Sequence, residues 1–517
     1  MLGTAAFKTV AVRAALTWAV FVIAAVVSSV LVLLRPIGQR LSDLHIYYGA
    51  AETVNAGRPL YSYVAENGGP FTYPPFAVLL FRPFTLLPEG AVQFVWLVAT
   101  CLAVVAIARA VGRGLGAGPL AVAAMACALL VSAPVQSNLR FGQVSIFIVL
   151  LALVDAMNLI PSRYRGILVG VAAAIKLTPL LFVVYFLFTR RYKDAARALG
   201  AFVACALLAA LVLPADSWRY WTGTILQTSR IGDLASLGNQ SVHGMLLRVG
   251  VSPAALPVIW AALIAVICGL ALLRARKLQS AGDHVRAAVL VGCATVAASP
   301  VSWTHHQVWT VLAAMLLVAT EGAWRRAAGW VLLAVMTLSF GAVLRGISTY
   351  PGWQFLLENA RSIGLVLVCT VGFVGFGGAA VVSARRARTA VAFVAAALVV
   401  LALTPLPAGA DPTFKAYSAG DLTNPRYFYF SADPLPGEPV RFLVRREKTK
   451  VRVNGVAGDA VAGLRFTSAP GGLARTVPLL SLDSGVRTFS FRSANLTHGR
   501  LEALAPDGAV VAVYTGF

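Results

Sequence analysis

Residues 9–34 read TVAVRAALTWAVFVIAAVVSSVLVLL, an apolar run whose only charged residue is Arg13. About 20 such residues in an α-helix cross the hydrocarbon core of a bilayer, so the run predicts a transmembrane helix. It is too long for the apolar core of a secretory signal peptide, and no small-residue cleavage site precedes the motif that follows it. We therefore expect this first helix to be retained in the membrane.

The composition of the whole chain agrees with this start. Of its 517 residues, 59% are hydrophobic and only 12% are charged, and the mean hydropathy is +0.79. Soluble domains carry about 25% charged residues. The composition therefore excludes a soluble globular enzyme and predicts a mainly α-helical, polytopic membrane protein.

Apolar segments recur as far as residue 407 and predict about thirteen transmembrane helices. With the N-terminus in the cytoplasm, the short basic clusters between the segments fall on the cytoplasmic side, as the positive-inside rule requires. The segments lie near 8–34, 92–109, 119–134, 143–160, 166–175, 177–189, 195–213, 254–274, 286–299, 305–320, 327–345, 360–383 and 390–407.

The net charge of +23 has two interpretations, nucleic-acid binding or membrane topology. A nucleic-acid partner requires a contiguous basic face. Here the basic residues form short clusters between apolar runs, so we expect no nucleic-acid partner. The clusters are Arg109/Arg113, Arg163/Arg165, 190–193, 274–277, Arg325/Arg326 and 385–388.

The stretch 166–189 leaves two interpretations open. It consists of two short apolar segments separated by Lys176, Leu177, Thr178 and Pro179, and a proline interrupts a helix. One kinked span and two half-spans both fit. Only two half-spans keep the downstream arginines on the cytoplasmic side.

The composition changes near 405–409, which divides the chain into a transmembrane domain, 1–407, and a second domain, 408–517. An odd number of crossings places the second domain outside the cytoplasm. Hydrophobic alternation with period two predicts strands, and hence a small β-sandwich-like domain, at 440–445, 450–453 and 487–491. Turn signals stand at Asn454-Gly455, 470–472 and 506–508.

Polar residues that flank the apolar segments on the outer side are the candidates for chemistry. The first helix is followed by SDLHIYYGA, 42–50, and the same loop contains FTYPPF, 71–76. Asp43 is either a solvated residue or helix cap beside the membrane, or a general base that takes a hydroxyl proton. A carboxylate with an ordinary pKa of about 3.9 is ionised at neutral pH.

Four further polar clusters lie along the chain. Arg140, in NLRFGQVS at 138–145, and Lys176, inside an apolar stretch, are candidate cations for an anion, although Lys176 also fits snorkelling. His305 and His306, in SPVSWTHHQ at 299–307, are either interfacial residues or hydrogen-bond partners of a sugar or phosphate. Asn239, in GNQSVHG at 238–244, either contacts sugar hydroxyls or satisfies its own loop.

These segments, together with GVAAAIKLTP at 170–179, resemble the polytopic GT-C glycosyltransferases, specifically glycosyltransferase family 87. The resemblance covers residues 40–310, and the hydrophobic frame extends it to 407. It implies a multi-pass protein of a bacterial cell membrane that transfers a sugar from a polyprenyl-phosphate donor to a lipid-linked glycan acceptor on the outer face, with inversion. The second domain is not part of the family pattern.

The resemblance also implies residue roles. Asp43 becomes the general base, and Arg140, Lys176, His305 and His306 bind the donor phosphate, with the choice between the two histidines left open. Contacts to the acceptor and sugar are expected from His45, Tyr47, Tyr73, Gln143, Asn239, Gln240 and Trp303. No DxD motif stands in the first outer loop, so no metal and no cofactor are expected.

The donor sugar is expected to be mannose, with a phosphatidylinositol mannoside or lipomannan acceptor; arabinofuranose is the alternative within the family. A different class, a lipid or glycan transporter, would also have many helices. Inverted repeats and polar groups at the bilayer midplane would support a transporter. The sequence shows no such repeat, and its polar clusters lie on the outer side.

Overall fold

The computed structural model describes residues 2–35, 40–65, 69–231, 234–252, 254–338, 351–373, 440–446, 451–457, 460–468, 474–481, 487–493 and 500–515. The chain divides into two compact units, Met1–Tyr429 and Phe430–Phe517. The domain boundary predicted between residues 407 and 408, and the predicted crossing at 390–407, lie outside the described residues.

The first unit is mainly helical. Short 3-10 turns connect several of its helices, among them Thr178–Leu180 and Thr304–His306. Its α-helices are α1 Leu2–Leu33, α2 Ser42–Asn55, α3 Pro75–Phe81, α4 Glu89–Leu115, α5 Pro119–Val131, α6 Ala133–Phe141, α7 Ser145–Ala156, α8 Ile167–Ile175, α9 Leu181–Phe188, α10 Tyr192–Val212, α11 Pro214–Thr222, α12 Val242–Arg248, α13 Leu256–Ser280, α14 His284–Ala298, α15 Val308–Val318, α16 Ala323–Thr337, α17 Pro351–Glu358 and α18 Ala360–Val371.

Several of these helices are long and apolar enough to cross a membrane. Among the described residues, α1, α4, α10 and α13 meet this criterion, and α5 with α6 forms a bent pair, at 61°, that raises the number to five. Most of the exposed side chains of α1 from Val10 onward are apolar, as in Leu16 and Ile23, which suits a helix that faces lipid. The described helices thus confirm a multi-helix membrane protein, while the count of thirteen stays a prediction.

Some predicted crossings correspond to shorter helices inside the bundle. The segment near 286–299 is α14, which packs against α7, α13, α15 and α18. Its residues from Ala287 to Ala297 are all buried. A helix enclosed by other helices is apolar on every side, so its sequence resembles that of a lipid-facing span even when it is shorter.

The stretch 166–189 forms two short helices, α8 and α9, which separate at Lys176. The backbone of Lys176 is extended, with φ −152° and ψ 126°. At the start of α8, the Asp155 carboxylate accepts hydrogen bonds from the amides of Gly166, at 2.7 Å, and Val169, at 3.0 Å. Beyond the end of α9, Arg191 donates to the carbonyl of Ala156 at 3.0 Å. Both ends of the pair therefore meet at the end of α7, so α8 and α9 form a hairpin with Lys176 near its tip.

The hairpin explains why the basic clusters on either side of it lie together. Arg197 of α10 donates to the carbonyls of Ser162, at 3.0 Å, and Arg165, at 3.2 Å. The residues before α8 and those that begin α10 are therefore on the same side of the helical unit. Of the two interpretations of 166–189, the structure favours the two half-spans.

The second unit contains two four-stranded antiparallel sheets, with strand orders β1-β2-β6-β5 and β4-β3-β7-β8. Val453 and Phe489 of one sheet and Leu464 and Leu501 of the other belong to one buried cluster, so the sheets form a small sandwich. The strands are β1 Val440–Arg446, β2 Val451–Ala457, β3 Gly463–Thr467, β4 Arg475–Val477, β5 Leu480–Ser481, β6 Arg487–Ser493, β7 Arg500–Leu504 and β8 Val510–Thr515.

The strands predicted from alternation correspond to β1, β2 and β6. The predicted turn at Asn454-Gly455 is wrong, because both residues lie inside β2 and pair with β1 and with β6. Hydrogen-bonded neighbours on both sides outweigh the local turn preference of this dipeptide. The turn at 506–508 is present between β7 and β8, with Gly508 at φ +82°. The turn predicted at 470–472 lies outside the described residues.

We expect Gly170→Ala to destabilise the protein. A Cβ atom at Gly170 would lie 2.3 Å from the Ala198 carbonyl oxygen and 2.7 Å from the Ala201 Cβ, so α8 would have to move away from α10. Overpacking of this kind costs roughly 1–3 kcal/mol. The measurement is the unfolding temperature of the detergent-purified protein, followed by tryptophan fluorescence.

Gly200→Ala is the matched control, because Gly200 lies on α10 and a Cβ there meets nothing within 4 Å. Its gain in helix propensity, up to about 1 kcal/mol, should leave the unfolding temperature unchanged or raised. Equal unfolding temperatures for the two variants would contradict the close packing of α8 on α10.

Candidate active site

Helix α2 places Asp43 and Tyr47 on one face, since residues four apart are neighbours on a helix. Both are buried, with 3% and 1% of their surface exposed. His45 lies between them in sequence and projects from a different side of the helix, where its Nδ1 atom is 3.0 Å from Glu89 Oε1. The structure thus pairs His45 with Glu89, and this favours a structural role over the predicted contact with the acceptor.

Gln143 connects Asp43 to two tyrosines. Its side-chain nitrogen donates to the Asp43 carboxylate. Its side-chain oxygen accepts hydrogen bonds from the hydroxyls of Tyr47, at 3.3 Å, and Tyr73, at 3.2 Å. The tyrosines therefore fix the amide in the orientation that presents its nitrogen to the carboxylate.

Gly142 sets the position of Gln143. It ends α6 in the left-handed conformation, with φ +67°, and the site of a Cβ would lie 2.6 Å from the Cβ of Leu44. Only glycine combines this backbone conformation with such a close approach. The glycine therefore lets the turn after α6 lie directly against α2, next to Asp43.

Burial raises the pKa of Asp43 from 3.8 to about 7. The hydrogen bond from Gln143 and the charge of Lys176 act in the opposite direction and limit the rise. This corrects the expectation of an ordinary carboxylate pKa. A carboxyl group that titrates near neutral pH is suited to accept a proton and release it again.

Tyr47 and Tyr73 differ in their access to a ligand. Tyr47 is fully enclosed and stacks on Phe81, with ring centroids 4.6 Å apart. Tyr73 is half-buried, and its hydroxyl lies 3.0 Å from that of Tyr47. Of the two predicted contacts to the acceptor, the structure leaves only Tyr73 partly accessible, whereas Tyr47 supports Gln143.

Lys176 lies between the hydrogen-bond network of Asp43, Gln143 and the two tyrosines and the 3-10 turn Thr304–His306, which we call the histidine turn. Its Nζ atom is 5.4 Å from the centre of the Tyr73 ring and 2.6 Å from His306 Nε2. Its charge also acts on Asp43. A cation that snorkels would reach the membrane surface. The contacts of Lys176 are instead internal, so the structure disfavours the snorkelling alternative.

His306 is a hydrogen-bond partner of Lys176. Its Nδ1 atom accepts the backbone N–H of Trp303 at 3.0 Å. His306 Nε2 and Lys176 Nζ therefore share one hydrogen bond, and both side chains line the same cavity.

His305 occupies a different environment. Its ring packs edge-on against Phe141, at 6.1 Å between centroids, and its backbone oxygen accepts from Asn138 at 2.9 Å. Sequence alone does not choose between the two histidines. The structure orients His306 toward Lys176 and packs His305 behind it.

A cavity adjoins Lys176 and His306. Its remaining lining combines apolar side chains, among them Ile148 and Trp309, with several hydroxyl groups. Apolar walls with a few convergent polar groups are typical of small-molecule sites. The hydroxyl-bearing residues are Ser145, Thr178, Thr295, Ser299 and Ser302.

Asn239 and Gln240 were predicted to contact sugar, but the fold uses both amides. The Asn239 side chain donates to the carbonyls of Leu234 and Pro300 and accepts the amides of Ser241 and Ser302. It is 0% exposed. The Gln240 side chain donates to the carbonyls of Leu237 and Glu358 and accepts from Ser362. Their hydrogen-bonding capacity is filled, so both amides hold the loop in place.

Arg140 does not join the Lys176 group. Its guanidinium lies 5.1 Å from the centre of the Phe141 ring, and its electrostatic neighbour is Arg35. Lys176 instead acts on Asp43 and on both histidines. Arg140 and Lys176, which were predicted to share one phosphate site, therefore lie in two different places.

Two supporting residues were not among the predicted site residues. Asn138 is 0% exposed. Its side chain donates to the His305 carbonyl and accepts a hydrogen bond from the Ile146 amide at 3.2 Å. Asn138 therefore connects the turn after α6, which contains Gln143, to the histidine turn. Arg361 of α18 donates to the Thr304 hydroxyl at 3.0 Å. The sequence could have indicated Asn138, because it lies inside the polar motif 138–145. It gives no sign of Arg361, because nothing near Arg361 in the sequence points to Thr304.

Comparison with known proteins identifies the class. Residues 71–300 match the model of glycosyltransferase family 87. Over 328 residues the chain is 34% identical to the polyprenol-phosphate-mannose-dependent alpha-(1-2)-phosphatidylinositol mannoside mannosyltransferase of Mycobacterium tuberculosis (strain ATCC 25618 / H37Rv), an alignment that covers 58% of this chain and 74% of the relative. The corresponding pentamannoside enzyme of Mycolicibacterium smegmatis (strain ATCC 700084 / mc(2)155) is 35% identical over 317 residues, with 59% and 77% covered.

Among solved structures, ArnT from Cupriavidus metallidurans bound to undecaprenyl phosphate matches with 20% identity and a TM-score of 0.31, over 69% of this chain and 76% of that one. The sequence relatives define a membrane glycosyltransferase. The chain belongs to glycosyltransferase family 87.

We expect Gln143→Leu to raise the pKa of Asp43 further, because the variant removes a hydrogen bond that stabilises the ionised carboxylate. The measurement is infrared absorption of the protonated carboxyl group as a function of pH, with Asp43→Asn providing the difference spectrum. The wild-type midpoint should be near pH 7, and the Gln143→Leu midpoint should be higher.

Gln136→Leu is the control. Gln136 is a half-buried glutamine of α6, and its amide donates to Ser28 and to the Leu130 carbonyl rather than to Asp43. Its midpoint should equal that of the wild type. A Gln143→Leu midpoint at or below the wild-type value would contradict the role of this hydrogen bond.

Proposed function

We propose that the protein transfers mannose from polyprenyl-phosphate mannose to a hydroxyl of a phosphatidylinositol mannoside acceptor, with inversion at the anomeric carbon. The observation that carries the proposal is the buried Asp43, held by Gln143 near the hydrogen-bonded pair of Lys176 and His306. The names of the sequence relatives favour mannose over the alternative sugar, arabinofuranose.

Asp43 is the proposed general base. Its ionised carboxylate takes the proton of the acceptor hydroxyl as that oxygen attacks the anomeric carbon. The bond between this carbon and the phosphate oxygen breaks, and its electron pair remains on the departing polyprenyl phosphate. A single displacement of this kind inverts the anomeric configuration.

Lys176 and His306 are the proposed stabilisers of the departing phosphate. The leaving group gains negative charge as the bond breaks, and donors aimed at the place where charge develops lower the barrier. The Lys176 amine and the His306 imidazole lie side by side at the edge of the cavity, and a phosphate that enters there replaces their mutual hydrogen bond with its own. The adjoining cavity offers hydroxyls for the donor sugar and an apolar wall for the first part of its lipid.

The topology is also part of the proposal. We infer that the site and the β unit, 408–517 as predicted, lie on the extracytoplasmic side of a bacterial cell membrane. The arginines on either side of the α8–α9 hairpin support this orientation, since they share one side of the helical unit and basic residues accumulate in the cytoplasm.

A transfer assay tests the proposal. The purified protein is incubated with polyprenyl-phosphate mannose or the matching arabinofuranose donor and with several lipid-linked acceptors, and products are identified by mass spectrometry. We expect mannosylated product, at a rate that rises with pH through about 7 as Asp43 loses its proton. Asp43→Asn should lower the rate roughly 10²–10⁴-fold.

Other outcomes of this assay have defined meanings. Pentose transfer would select the arabinofuranose branch, and full activity of Asp43→Asn would remove the base assignment. No transfer from either donor by folded protein would contradict the proposed donors and acceptors and would favour transport.

The two histidines give a separate prediction. His306→Gln should lower kcat roughly 10²–10³-fold, the usual cost of losing one donor to a developing charge. His305→Gln is the matched variant and should retain more of the turnover, because its ring packs against Phe141 rather than facing Lys176. A larger loss of kcat in His305→Gln would reverse the assignment. Steady-state kinetics with varied donor separates kcat from KM.

A further inference from the structure

Three arginines converge where α1 ends and the turn after α6 begins. Arg40 donates to the Leu33 carbonyl at 3.1 Å, at the C-terminus of α1 and two residues before Arg35. The residue after Arg40, Leu41, donates its backbone N–H to the Arg140 carbonyl at 2.9 Å. We call Arg35, Arg40 and Arg140 the arginine cluster.

The guanidinium groups of the cluster are incompletely satisfied. The Nε atom of each arginine is buried and has no hydrogen-bond partner. Within the part of the chain that the structure describes, no ion pair joins any of the three to a carboxylate. Glu89 lies close enough to Arg40 to feel its charge, but its carboxylate is paired with His45. The cluster therefore carries a net positive charge.

Positive charges placed together away from water are costly unless an anion compensates them. Arg35 and Arg140 repel each other electrostatically, and each is only partly exposed to solvent. The planar guanidinium group matches a phosphate geometrically, with two parallel hydrogen bonds. A phosphate group would accept hydrogen bonds from the guanidinium groups of the cluster and offset the repulsion.

The arginine cluster is separate from the Lys176 site. The charge of Lys176 acts on Asp43 and both histidines, whereas the neighbour of Arg140 is Arg35. The proposed reaction also involves two phosphates, one on the donor lipid and one in the phosphatidylinositol part of the acceptor. Two separate cationic places are what two phosphates require.

We propose that the arginine cluster binds the phosphodiester of the acceptor lipid, an inference that rests on the proposed function. The cluster is close to the base along the chain, since Arg40 precedes Asp43 by three residues and Arg140 precedes Gln143 by three. An acceptor anchored there by its phosphate extends its mannosyl groups toward Asp43. Acceptor selection thus depends on the phosphate as well as on the sugar.

Binding by isothermal titration calorimetry tests this proposal. The full-length protein, in the Asp43→Asn background to prevent turnover, is titrated in an uncharged detergent with two water-soluble ligands. One is deacylated phosphatidylinositol mannoside, which retains the phosphodiester; the other is the same mannosyl-inositol without the glycerophosphate. We expect Arg140→Gln combined with Arg35→Gln to weaken binding of the first ligand about 10- to 100-fold, as expected for lost charge-assisted hydrogen bonds. Binding of the second ligand should be unchanged, which also shows that the variant is folded.

Arg58→Gln is the matched control, since Arg58 is an exposed arginine after α2 and belongs to neither cationic place. It should bind both ligands like the parent protein. Equal weakening of both ligands by the cluster variants, or no weakening of either, would overturn the phosphodiester assignment. Equal binding of the two ligands by the parent protein would also overturn it while leaving the proposed function intact.

An ordinary membrane phospholipid carries the same phosphodiester, so a separate experiment has to distinguish it from the acceptor. Native mass spectrometry of the parent protein and the cluster variants with phosphatidylglycerol measures lipid retention. Loss of phosphatidylglycerol in the variants, together with unchanged binding of the deacylated acceptor, would assign the cluster to a bystander lipid and contradict the proposal. If the parent protein binds neither mannosyl ligand, the acceptor class of the proposed function fails, and the acceptor site fails with it.

Discussion

A carboxylate removed from water is stabilised only by the few groups that reach it, and for Asp43 these are the amide of Gln143 and the charge of Lys176. Each is held by a different part of the chain. Gln143 follows the left-handed Gly142 and is oriented by the tyrosine hydroxyls, while Lys176 stands near the tip of a helical hairpin. The balance between burial and these two groups places the pKa of Asp43 near neutrality. The candidate site is therefore a product of three separate segments that meet at one carboxylate.

The sequence predicts the features that local patterns encode. Apolar runs predict the long helices, alternation predicts β1, β2 and β6, and the arginines around 166–189 favour two half-spans over one. The polar motif after the first helix contains Asp43, which the structure buries beside Gln143. These predictions succeed because period, composition and charge asymmetry are properties of contiguous residues.

Long-range hydrogen bonds explain what the sequence does not predict. Asn239 looks like a sugar ligand until its four backbone partners are known, and His45 looks like part of the site until Glu89 is placed beside it. The same limit hides the raised pKa of Asp43, since burial depends on segments far along the chain. The Asn454-Gly455 turn fails for a related reason, because partners on two sides extend β2 through it.

The length of α8 in the α8–α9 hairpin sets the distance of Lys176 from the end of α7. The hairpin is anchored at the end of α7 by Asp155, and α8 extends from that anchor for nine residues. At about 1.5 Å per residue, this length carries the lysine roughly 14 Å from the anchor. Adding or removing one residue in α8 would change this distance by about 1.5 Å and turn the lysine by about 100° around the helix axis. The length of one short helix therefore sets both how far Lys176 lies from the end of α7 and the direction in which its side chain points.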